Sequence, residues 1–209
     1  MTATLSPLLR GEGLPQYSAI NPEMVSRDVP ALLKALNDEF SALEQSLDQA
    51  LNSDAPLPWD AVMIPMQRIG ERLRWSWGVV SHLNGVCNSK DLREAHAAQQ
   101  PEVVRLGNRL GQSQVLHRAL QRLRDQPAEP LSETRQRILA AELLSMRHRG
   151  VGLAPDVQSA FNTSSERLAA LSTQFSNHVL DATQQWTLML RDPEPVSYTH
   201  LRAHETLRY

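Results

Sequence analysis

Apolar side chains return every three or four positions through most of this chain, the spacing that lines one face of an α-helix. Val29, Leu32, Leu36, Phe40, Leu43, Leu47 and Ala50 form one such face. Asn21 and Pro22 ahead of them supply a capping side chain and a proline suited to a first helical turn. Pro30 has no N–H to donate and is expected to break or restart this helix near its beginning. After a loop at 52–58, Val62, Met66, Ile69, Leu73, Trp77 and Val80 predict a second helix from about Trp59, kinked by Pro65. The stretch from Asn84 to Ser89 closes it, and Ser89 can cap the next helix. That third helix is expected through 91–125, bent at Pro101, with Leu106, Leu110, Leu116, Leu120 and Leu123 facing inward. Pro127 and Pro130 mark the next turn.

Ser132 caps a fourth helix that reaches about His148 and closes at Gly150 and Gly152. Pro155 opens a fifth, expected to end near Asp192–Pro195. Its pattern is the cleanest in the chain. Val157, Ser164, Leu171 and His178 form one seven-residue series, and Phe161, Leu168, Phe175 and Ala182 form another. A seam of that width is expected to pack against neighbouring helices. Residues 1–20, punctuated by Pro7, Gly11, Gly13 and Pro15, read as an extended lead-in. No convincing strand pattern and no internal repeat emerges. The expected fold is all-α, with long antiparallel helices.

Composition agrees: 5% of the 209 residues are aromatic, and Leu, Ala, Gln, Arg and Glu are plentiful. A net charge of −2 implies no general affinity for nucleic acid or for an anionic membrane. No stretch approaches the roughly 20 apolar residues of a membrane span, and the N-terminus lacks a signal-peptide pattern. A single cysteine, Cys87, favours a reducing compartment, so the expected location is cytoplasmic. Charge is uneven. Residues 102–149 carry nine basic groups, all of them arginine, against five acidic ones. Such a run reads first as a solvated helix surface and second as a face for something anionic.

Candidate chemistry is sparse. His82, His96, His117, His148 and His178 have no histidine partner three or four residues away. His178 and Asp181 would share a helical face as half of a metal site, but a hydrogen-bonded pair is the simpler reading. Cys87 near His82 lacks a third orienting group, which leaves a half-buried structural thiol. Asn162-Thr163-Ser164 spells a glycosylation sequon on a core-forming helix. Gly107 and Gly111 lie within a helical pattern and lack the strand and lysine of a phosphate loop. Trp75-Ser76-Trp77 beside Arg72 and Arg74 would stack bases or a peptide, or simply join the core.

Four blocks carry a resemblance. INPEMV (20–25), PWDAVMIPM (58–66), SHLNGVCNSKDLREAH (81–96) and GVGLAPDVQSAFNTSSERLAALSTQFSNHVLDATQQWT (150–187) resemble the thimet oligopeptidase family of zinc metallopeptidases, most of all its bacterial oligopeptidase A branch. The resemblance covers about residues 14–192. It implies a mostly helical, two-lobed enzyme roughly three times this length, with a deep channel for short peptides. In that family a zinc held by H-E-x-x-H and a downstream Glu activates water, and the motif's Glu takes the proton. Those residues lie late in the family's chain. No catalytic, metal-binding or cofactor-binding residue carries over to a position here.

The expected role of residues 21–192 is therefore the N-terminal helical region of such an oligopeptidase, forming one wall of the channel. Zinc would belong to the whole enzyme and none to this chain. The partners implied are short peptides and the catalytic lobe that this chain lacks. Residues 193–209 read as non-native. Val196 to Thr206 resembles a translated transposon-type sequencing adaptor, and the following Leu207-Arg208-Tyr209 an index sequence. His204-Glu205 is then no half of a zinc motif, since Arg208 stands where the second His belongs. Two alternatives remain: the related dipeptidyl carboxypeptidase branch, and a free-standing helical adaptor that binds peptides or proteins without catalysis. A truncated chain is expected to expose an apolar seam along Val157–Ala182.

Overall fold

The computed structural model describes residues 6–53, 56–189 and 191. Among them run seven α-helices: α1 (Pro7–Arg10), α2 (Pro22–Leu51), α3 (Trp59–Val86), α4 (Lys90–Gln112), α5 (Gln114–Asp125), α6 (Glu133–His148) and α7 (Pro155–Gln185). No strand is formed among these residues, so the fold is all-α as expected. The tail from residue 192 onward, with its adaptor-like stretch, lies outside the described residues.

The apolar face read from Val29 to Leu47 becomes the spine of the core. Val29, Leu32, Leu36, Phe40, Leu43 and Leu47 are all buried, and α2 packs against α1, α3, α4 and α5. Asn21 caps it as predicted, its side chain accepting from the Met24 amide at 2.8 Å. Ser89 and Ser132 cap α4 and α6 in the same way.

Pro30 does not break α2. Nor do Pro65 and Pro101 interrupt α3 and α4. Each proline deprives the carbonyl four residues earlier of its helical donor. Those carbonyls belong to Ser26, Ala61 and Ala97, all on exposed residues, where water can replace the lost bond. The buried neighbours Val29, Met63 and Val103 hold the helices through the defect.

The break in the expected third helix falls instead at Ser113, between α4 and α5. Its backbone turns extended, and its hydroxyl accepts from the Leu116 amide at 3.1 Å while donating to Glu44 at 2.6 Å. Just before it, a Cβ on Gly111 would collide with the Arg149 side chain. Glycine there lets the residue that caps the C-terminus of α6 lie across α4. Gly150 ends the excursion at φ +89°, a left-handed conformation that L side chains rarely adopt.

The lead-in is less extended than its sequence suggests. It contains α1 and a 3₁₀ turn at Tyr17–Ala19, and Leu8 is completely buried. Buried Ser76 donates to the Leu8 carbonyl at 2.7 Å, the Trp75 indole to the Gly13 carbonyl at 2.9 Å, and Ser6 to buried Asp28. Side chains of α2 and α3 thus pin this segment in place.

Contacts divide the chain into two compact units, Met1–Thr173 and Gln174–Tyr209. α7 begins in the first and ends in the second. It stops at Gln185, about two turns short of Asp192. Its seam does not pack against neighbouring helices of this chain but is exposed, as expected of a truncated chain: no residue of α7 is buried. Leu168 and Phe175, central to the predicted seam, are 67% and 70% exposed. The reason is which face turns inward. Gln158, Asn162, Glu166 and Thr173 reach the body through polar contacts, and the apolar series points away.

Candidate functional site

The densest polar constellation among the described residues joins α2, α4 and the first part of α7. Arg109 donates to Ser41 at 2.8 Å, to Glu44 at 3.1 Å and to the Asn37 side chain, with its guanidinium 5.3 Å above the Phe40 ring. Arg105 grips Glu166 with two bonds of 3.0 Å and also donates to Glu102. Gln112 donates to Asn162 at 2.8 Å and receives a bond back at 3.3 Å. Gln100 donates to Thr173 at 2.8 Å. A cavity of about 570 Å³ opens along this edge, lined by Glu44, Arg105, Asn108, Arg109 and Gln112 among others. Asn108 places a buried amide nitrogen there with no partner.

This arrangement decides the fate of the basic stretch 102–149. Arg105 and Arg109 are neutralised by Glu102, Glu166 and Glu44. Arg118 pairs with Asp48 at 3.1 Å, and Arg122 donates to the Ala50 and Leu51 carbonyls at the C-terminal end of α2. Arg135 lies 4.9 Å over the Trp59 ring. Several of these arginines pair within the fold while Arg105 and Arg118 stay 53% and 55% exposed, in keeping with a solvated helix surface.

The remaining sequence candidates are placed apart. His82 is exposed and meets Tyr17, with ring centroids 5.4 Å apart. Cys87 is exposed, not half-buried as expected, because it sits at the C-cap of α3 where the backbone leaves the helix. His96 is 4% exposed and stacks on Trp77 at 4.5 Å, with Nε2 at 3.3 Å from Ser81 and Nδ1 unpartnered. Burial holds it below the usual imidazole range. His117 is lowered too, first by burial and then by Arg147 and Arg124. Trp75 and Trp77 are half-buried around fully buried Ser76, so this cluster joins the core. Asn162 of the sequon is engaged with Gln112. His178 is exposed and Asp181 half-buried on α7.

No group of three His, Cys, Asp or Glu side chains able to hold a metal converges among the described residues. Among the described residues no set of side chains fits a zinc site, and no hydrolytic step is derived through them. What the geometry offers in the unit Met1–Thr173 is a helical core with a polar edge along α4.

The family model for the N-terminal domain of neurolysin and thimet oligopeptidase matches residues 29–158, from α2 into the first turn of α7. The chain belongs to the thimet oligopeptidase family. Within it, the chain is oligopeptidase A-like. It is 34% identical over 188 residues to oligopeptidase A of Escherichia coli K12, covering 90% of this chain and 27% of that protein. It is 31% identical over 196 residues to the probable cytosolic oligopeptidase A of Arabidopsis thaliana, covering 93% of this chain and 27% of that protein. The organellar oligopeptidase A of the same plant is 31% identical over 196 residues, with 24% of its length covered. The chain thus spans about a quarter of the length of these relatives. Their names place them in more than one compartment. No helix among the described residues is long and apolar enough to cross a membrane.

The oligopeptidase resemblance was legible because its blocks fix polar as well as apolar positions. The Arg109–Glu44–Ser113 constellation was not. Its one local signal is a serine between two helical runs, and its partner lies 69 residues away.

Proposed function

We propose that this chain is the N-terminal helical region of a zinc-dependent oligopeptidase that hydrolyses short peptides in the cytoplasm. In this reading it forms one wall of the substrate channel, and the metal-bearing lobe is supplied by the rest of the full-length enzyme. The observation that carries the proposal is the family match over 29–158, combined with coverage of only about a quarter of each oligopeptidase A relative. The structure supports a scaffolding role: side chains cap α2, α4, α5 and α6, Arg105, Arg109 and Arg118 pair with carboxylates of other helices, and Pro30, Pro65 and Pro101 are accommodated without breaks.

The test is replacement. The matching N-terminal quarter of Escherichia coli oligopeptidase A would be exchanged for residues 1–191 of this chain, and zinc-dependent cleavage of quenched fluorescent short peptides measured. Turnover by the chimera, with none by the 209-residue chain alone, is the expected result. A correctly folded chimera without turnover would overturn the proposal.

A further inference from the structure

α3 and α6 both pack against α4 and α5, and a cavity of about 470 Å³ opens between them. Each wall is one helical face. Met66, Gln67, Gly70, Glu71 and Arg74 come from α3, and Glu142, Ser145, Met146 and Arg149 from α6, at the spacings that share a side of a helix. The floor is apolar. Phe40, Leu116 and Met146 are only 1–4% exposed, and half-buried Met66 and Leu110 complete it. Gly70 keeps the middle of the α3 wall open, since a Cβ there would meet nothing within 4 Å. Gly111, with no Cβ of its own, lets the Arg149 stem cross α4, and Nη1 donates to the Gly107 carbonyl at 3.4 Å.

Charge distinguishes this cavity from the polar one along α4 and α7. There, Arg105 and Arg109 are neutralised by carboxylates of other helices. Here each wall presents one carboxylate and one guanidinium, Glu71 with Arg74 and Glu142 with Arg149. None of the four makes an ion pair among the described residues. Glu71 and Arg74 stand three residues apart, a spacing that permits a pair on a helix, yet they form none. The Gln67 amide and the Ser145 hydroxyl likewise make no side-chain hydrogen bond among the described residues.

We infer that this cavity binds a small zwitterion with an apolar side chain, that is, an apolar amino acid or dipeptide. The volume suits a ligand of that size. The side chain takes the apolar floor. The carboxylate takes Arg74 and Arg149, and the ammonium takes Glu71 and Glu142, through charge-assisted hydrogen bonds. The four charges select the class. An anion would meet two carboxylates, and a cation two guanidinium groups. An uncharged apolar guest would strip water from all four and replace none of it. Amino acids and dipeptides are what peptide hydrolysis releases, which accords with the oligopeptidase reading, but binding here does not depend on that reading.

The test is isothermal titration calorimetry with leucine and with leucyl-leucine, on the 209-residue chain and on the chimera described above. Isocaproate, isoamylamine and N-acetyl-leucinamide are the controls: they keep the side chain and lack one charge or both. Saturable binding of a zwitterion at least about tenfold tighter than each control is expected. Glu142→Gln and Arg74→Gln should each weaken it about tenfold, and Glu142→Gln should not weaken isocaproate. Gly70→Leu should fill the cavity and abolish binding while helical circular dichroism stays intact. Tighter binding of leucine supports a site for the free amino acid, and tighter binding of leucyl-leucine supports one for a dipeptide. Zwitterions that bind no more tightly than the controls overturn the inference, and so does binding that survives Gly70→Leu. Absence of binding to the folded chain and to the chimera overturns it as well, and if that chimera turns over peptide the oligopeptidase reading stands. Binding to a folded chimera without turnover keeps the site and removes that reading.

Discussion

At the scale of single residues, the pH response is carried by His96. Its folded state binds a proton less readily than the unfolded chain does, because burial against Trp77 penalises the charged ring. Below about pH 6.5 the unfolded state therefore takes up protons that the folded state does not, and stability falls as pH falls through that value. Thermal melts at about pH 7.5 and about pH 5.5, on either side of that value, should show a lower Tm at the acid end, and His96→Phe should reduce the difference. An unchanged difference in the variant would place the effect elsewhere, with His117 the next group to test since its shift has the same sign. Ser113 gives a second prediction. Ser113→Ala removes a cap and the donor to Glu44 and should cost about 1 kcal/mol by denaturant unfolding. Caps at Asn21, Ser89 and Ser132 were legible because their signal is local: a polar side chain directly before a helical period. Ser113 was not, because helix-forming residues flank it on both sides.

At the scale of elements, period alone located the helices but not their breaks or their orientation. Pro30 was expected to break or restart its helix, yet α2 runs through it, and the residue four positions before each of Pro30, Pro65 and Pro101 is exposed. Burial of the flanking side chains outweighs one missing bond. The exposed seam on α7 has a different origin. Amphipathic spacing shows that a face is apolar, not that anything within the same chain covers it. That distinction is measurable. Leu120, fully buried at the junction of α5 with the core, should cost about 2–5 kcal/mol when replaced by Ala. Leu168→Ala should change stability by less than about 0.5 kcal/mol in the isolated chain. Comparable losses at the two sites would mean that α7's seam is buried in the folded chain.

At the scale of the whole molecule, the all-α class and the family were both readable, the first from periodicity and the second from four ordered blocks of mixed identity. The Arg109–Glu44–Ser113 network was not readable, since Glu44 comes from α2, 65 and 69 residues before its partners. What the sequence could not convey is how the arginine-rich stretch is used, because its partners Glu44, Asp48 and Glu166 lie tens of residues away on other helices. The isolated chain should show no zinc-dependent peptide cleavage, and added zinc should leave its melting temperature unmoved; a clear upward shift would reveal a metal site. If these helices are the opening region of an oligopeptidase whose catalytic lobe is encoded further on, the source DNA must say so, and a long sequencing read through codon 195 is the decisive experiment. The expected result is an open frame that leaves the adaptor-like sequence behind and continues for several hundred codons to an H-E-x-x-H. A natural gene that reads VSYTHLRAHETLRY and then stops would contradict this.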